Sequence, residues 1–119
     1  MDNQKTVVIL SSEQLNHTNM LEEYSQEITI FMKENIPKNH LITIGVIKNV
    51  QLIKHLQNIG YEITSKNQRS GSLGNSNRKL IRDNDLVIFF NYPDSPYISE
   101  FIDYAKRIDG KNMKILNLG

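Results

Sequence analysis

The stretch from Ser65 to Lys79 holds the residue types best suited to a chemical task. It reads Ser65-Lys66-Asn67-Gln68-Arg69-Ser70-Gly71-Ser72-Leu73-Gly74-Asn75-Ser76-Asn77-Arg78-Lys79, rich in serine and base and without one acid. Glycines such as Gly71 and Gly74 let backbone N–H groups turn toward an anion, and a guanidinium clamps phosphate in a bidentate fork. A helix is expected to begin near Asn77, and its amino end would add a favourable partial charge. The spacing matches neither a P-loop nor the dinucleotide fingerprint G-x-G-x-x-G. The same composition also suits a plain solvated loop.

Two further groups stand where strands end. Ser11 and Ser12 follow an apolar run and suit donors to a phosphate or sugar, or a simple turn. Asn91, Asp94 and Ser95 follow the most apolar run of the chain. A carboxylate there would hold a ribose hydroxyl, while Ser95 followed by Pro96 also reads as a helix cap. Were the chain an enzyme, Glu100 or Asp94 would be its acid, base or nucleophile. Acids are common in the first helical turn for electrostatic reasons alone, which accounts equally for Glu100. His17, His40 and His55 lie far apart and cysteine is absent, so neither a metal site nor a thiol nucleophile is expected. No cofactor is expected.

These residues must be positioned by alternating strands and helices. Continuous apolar runs at Thr6–Leu10, Leu41–Ile47 and Leu86–Phe90 have the signature of strands buried on both faces, with shorter strands at Tyr61–Thr64 and Met113–Leu118. Between them, Leu21, Tyr24, Ile28, Phe31 and Met32 recur at helical spacing after an Asn19/Glu22 capping box and stop before Pro37. Asn49 is placed to cap a second helix with Val50, Ile53, Leu56 and Ile59 inward, stopped by Gly60. Ile98, Phe101, Ile102, Ala105 and Ile108 mark the last helix, closed by Gly110. Strands separated by helices this long pair in parallel through right-handed crossovers. The expected fold is a three-layer, doubly wound α/β sandwich, Rossmann-like, with a mostly parallel five-stranded sheet centred on the first or fourth strand. In such a sheet, ligands bind beyond the carboxyl ends of the strands where strand order reverses.

At 119 residues, with 39% hydrophobic and 23% charged, the chain fits one domain spanning 1–119. No apolar run is long enough to cross a bilayer and no leader pattern opens the sequence, so a cytoplasmic protein with no membrane partner is expected. The net charge of +1 argues against a dedicated nucleic-acid binder. Its distribution is uneven, at −4 over residues 1–36, +7 over 37–82 and −2 over 83–119. A locally cationic centre on a near-neutral protein suits a compact anion. A receiver domain would need an acidic cluster after strand one and an Asp ending strand three; Ser11-Ser12 and Thr64-Ser65 stand there instead. Ser11-Ser12-Glu13-Gln14-Leu15 is likewise too poor in Ser, Thr and Gly for a flavin phosphate loop.

Ser76-Asn77-Arg78-Lys79-Leu80-Ile81, then Asp85-Leu86-Val87-Ile88-Phe89-Phe90, Ser95 and Ile102-Asp103-Tyr104-Ala105-Lys106-Arg107 carry a resemblance. Over roughly 76–118 the chain resembles the C-terminal half of small Rossmann-like proteins of the SLOG superfamily, YspA type. The resemblance implies binding of nucleotides or nucleotide-derived signals, with cleavage of N-glycosidic or phosphoribosyl bonds in some relatives and homodimers paired through helices. The sequence departs from that pattern at Tyr97-Ile98, where the family has Gly-Thr, at Ser76, where it has Arg, and after strand two, where Gly45 stands alone. The leading expectation is a non-catalytic nucleotide-binding or signal-binding module. Arg69, Arg78 and Lys79 would hold phosphates, Ser11 and Ser12 would donate, Ser70, Gly71, Gly74, Asn77 and Ser95 would line the site, and Asn91 or Asp94 would contact the sugar. The alternatives are a small protein-interaction factor, of phage or mobile-element kind, that kept the fold and lost the ligand, and an N-glycosidic bond-cleaving enzyme.

Overall fold

The computed structural model describes residues 5–16, 18–45, 50–64, 73–92 and 95–118, the side chains of 16, 18, 20, 73–75 and 96 excepted. It shows an α/β Rossmann-like fold. The elements in order are β1 (Thr6–Ser11), a 3-10 turn (Glu13–Asn16), α1 (Thr18–Asn35), β2 (Leu41–Ile44), α2 (Val50–Asn58), β3 (Ile63–Thr64), α3 (Leu73–Asp83), β4 (Leu86–Asn91), α4 (Pro96–Lys106) and β5 (Asn112–Asn117). The five strands form one sheet in the order β3-β2-β1-β4-β5, every neighbouring pair parallel.

Side chains alternate across β1 and β4, so each strand supplies two cores. Val7 and Ile9 of β1 and Ile88 and Phe90 of β4 face α1 and α2, meeting Leu21, Tyr24, Ile28, Met32, Leu52 and Leu56. Val8, Leu10, Val87 and Phe89 face α3 and α4, meeting Leu80, Ile81, Ile98, Phe101, Ile102 and Ala105. Full burial of each such side chain stabilises by about 1.5–3 kcal/mol, which is why these runs carry no polar residue.

Several boundaries differ from the sequence expectation. Thr18 opens α1, so Asn19 is a helical residue and not its cap. The strand β2 ends at Ile44, where Gly45 N–H donates to the Ile9 carbonyl; residues 46–49, with the expected Asn49 cap, lie outside the described residues. Tyr61 precedes β3 and is buried through its ring, its hydroxyl donating to the Ile36 carbonyl at 2.8 Å. In α2 the inward pair is Leu52 and Leu56, spaced i and i+4, while Val50 is 47% exposed. Gly60 stops α2 as expected, its φ of +103° being accessible to glycine at little cost. The largest difference is α3. It begins at Leu73, so Gly74, Ser76, Asn77, Arg78 and Lys79 are helical rather than parts of a loop.

Candidate functional site at the carboxyl ends of β1 and β4

The chain leaves β1 toward β2 on one side and returns to β4 on the other, so strand order reverses between these two strands. Their carboxyl ends are tied together. Ser12 N–H donates to the Phe90 carbonyl at 2.9 Å, and Tyr92 N–H donates to Ser12 Oγ at 2.8 Å. Ser12 is completely buried, and its hydroxyl oxygen is committed to this clasp. Asn91 turns toward the β5 side, its Nδ2 donating to Asn117 Oδ1 at 3.1 Å.

Ser95 is the N-cap of α4, with φ −98° and ψ 96°, followed by Pro96, which has no N–H to satisfy. A serine here is expected to accept from the first turn of the helix. It does not: the side chain makes no capping bond, and Oγ is enclosed without a partner in a residue only 3% exposed. A buried hydroxyl left this way costs about 1–3 kcal/mol, so the position holds an unused donor beside a helix amino terminus.

Asn77, Arg78 and Lys79 do not converge. Successive helical residues are turned by about 100°, since 3.6 residues make one turn. Asn77 is fully buried and its Nδ2 donates to the Tyr97 hydroxyl. Arg78 lies over the Tyr104 ring, 5.9 Å from its centre, and lines a cleft between α3 and α4 with Glu100, Asp103 and Arg107. Lys79 is exposed on a groove bounded by Thr6, Thr43 and Thr64. The joint phosphate clamp expected of Arg78 and Lys79 is therefore split between two surfaces. Glu100 belongs to the Arg78 cleft and not to the lining of the crevice between β1 and α3. Arg69, Ser70, Gly71 and Asp94 lie outside the described residues.

In the sequence Tyr97 stands out only as a departure from glycine, and its role is larger. With Asn77, Gly45, Ile9, Leu10 and Ser11 it encloses a cavity of about 10 Å³, room for one water at most. Its ring packs edge-on against Phe101 at 4.9 Å. Burial pushes its phenol pKa up, the Asn77 amide opposes this, and the Glu13 charge adds to the rise. Gly45 permits the closure. A Cβ at that position would lie 2.1 Å from Leu10 Cδ2 and 3.2 Å from Asn77 Oδ1. The signal for Tyr97 in the sequence was a bulky ring directly after a cap and proline, where a close backbone approach was anticipated.

Among the described residues no group of His, Asp and Glu is placed to hold a metal ion, and no helix is long and apolar enough to cross a membrane. Comparison with family models, with curated proteins and with solved structures finds no match.

Proposed function

We propose that the chain is a non-catalytic module that takes a nucleotide or nucleotide-derived signal by its phosphate group, at the carboxyl ends of β1 and β4. The observation that carries this reading is Ser95, a buried hydroxyl with no hydrogen-bond partner among the described residues, at the amino terminus of α4 and beside the strand-order reversal. The described strand β3 ends at this same edge of the parallel sheet, and the cationic, glycine-containing residues around Arg69 follow it in the sequence. The SLOG resemblance over 76–118 points to the same ligand class.

The test is thermal unfolding of the protein against nucleotides, cyclic nucleotides and NAD derivatives. A ligand at 100 times its dissociation constant adds about 2.7 kcal/mol, which raises the midpoint of a domain this size by on the order of 10 °C. A shift that Ser95→Ala reduces supports the reading.

The Asn77–Tyr97 contact favours a second reading. A crevice closed to about 10 Å³ suits a chain that kept the architecture and binds a protein instead. An unmoved midpoint across the whole panel supports that alternative.

A further inference from the structure

The opposite end of the sheet carries a second polar cavity. Lys5, Asn35, His40, Asp85, Asn112 and Lys114 line most of a space of about 230 Å³ where β1, β4 and β5 begin and α1 ends. Two of its acceptor oxygens are already engaged. Asp85 Oδ2 takes the Thr6 N–H at 2.9 Å and the Thr6 hydroxyl at 3.2 Å. Asn35 Oδ1 takes Lys114 Nζ at 3.0 Å, and the Asn35 amide donates back to the Phe31 carbonyl.

The donors are in surplus. An ammonium has three N–H bonds, and Asn35 uses one of those on Lys114. Lys5 is exposed at the rim, and His40 lines the cavity with Nδ1, a donor or acceptor according to the tautomer, enclosed and without a partner among the described residues. Among the described lining residues, Lys5 and Lys114 against the carboxylate of Asp85 leave a net positive charge even with His40 neutral. Among the described lining residues the cations are ammonium groups, which meet a compact, multiply charged oxyanion as point charges, the way lysine binds phosphate.

We infer that this cavity binds a small tetrahedral oxyanion, phosphate or sulfate, between Lys5, Lys114 and His40. The anion would pin edge strand β5 to the end of α1, reinforcing the single Lys114–Asn35 bond. This site is independent of the one proposed at the carboxyl ends of the strands.

The probe is inorganic phosphate, titrated against sodium chloride at matched ionic strength. Thermal midpoints and the histidine ring signals are followed in the wild type, in Lys5→Gln/Lys114→Gln and in Ser95→Ala. The expected result is a saturable rise of several degrees and a saturable shift of the His40 ring. His55, bonded to Thr29 between α1 and α2, should stay still. Both responses should persist in Ser95→Ala and disappear in the double variant, whose midpoint without phosphate confirms that it folds. An equal rise in chloride, a response that survives in the double variant, or one lost in Ser95→Ala overturns the inference. The last outcome would assign the phosphate to the other end of the sheet.

Discussion

The Asn77 side-chain amide donates to the Tyr97 hydroxyl, joining α3 to α4 over the carboxyl end of β1. Both groups line a narrow pocket, with Asn77 fully buried and Tyr97 half-buried. Tyr97→Phe removes this hydrogen bond between the two helices. The expected loss is about 0.5–1.5 kcal/mol by chemical denaturation. A loss below a few tenths would mean that the contact contributes little.

Gly45→Ala should destabilise for a steric reason. The added methyl meets Leu10 Cδ2, and Leu10 is itself packed in the α3–α4 core. Overpacking of this kind costs about 1–3 kcal/mol. Denaturation midpoints of Gly45→Ala and wild type check it.

The starts of β1 and β4 are locked reciprocally. Asp85 accepts from the N–H and hydroxyl of Thr6, and Asp85 N–H donates to Thr6 Oγ1 at 3.1 Å. The two Thr6 bonds, aided more weakly by Lys5 and Lys111, hold the Asp85 carboxyl below its usual pKa against the opposing effect of burial. A carboxylate with a lowered folded-state pKa contributes stability that is fully present above its unfolded value and is lost as pH falls through the folded one. Stability should therefore decline below about pH 4, and less steeply in Asp85→Asn. Urea midpoints across the acid range decide this; identical slopes in the two proteins would contradict it.

Leu52→Ala should cost about 2–5 kcal/mol, because Leu52 is fully buried beside Leu56. Val50→Ala, on an exposed position, should stay within about 0.5 kcal/mol. Thermal or chemical unfolding of the pair gives a direct reading of which side of α2 faces the sheet.

That last pair also shows how far the sequence carries. The apolar runs at Val7–Leu10 and Leu86–Phe90 specified doubly buried parallel strands, because no half-exposed strand tolerates such continuity. Hydrophobic spacing alone could not orient α2, since Val50 and Leu52 are both apolar and a short helix offers competing stripes. Tyr61 read as a strand residue because aromatic rings favour strands, yet its burial is explained by the Ile36 carbonyl it reaches. At the candidate site, Ser12 and Ser95 were legible as polar residues ending strands. Their opposite fates, one hydroxyl committed to Tyr92 N–H and the other unpartnered, depend on contacts between segments far apart in the chain. The divergence of Asn77, Arg78 and Lys79 followed from α3 starting at Leu73, a turn earlier than expected.

The central claim is tested most directly by calorimetric titration of nucleotides into wild type and Ser95→Ala, with unfolding of both free proteins alongside. Because Ser95 Oγ makes no hydrogen bond among the described residues, its removal should leave the free protein as stable as before or slightly more so. The account predicts saturable binding to wild type, weakened by about tenfold or more in the variant, equivalent to about 1.4 kcal/mol. Equal affinity in the two proteins, or no binding by either, would contradict it.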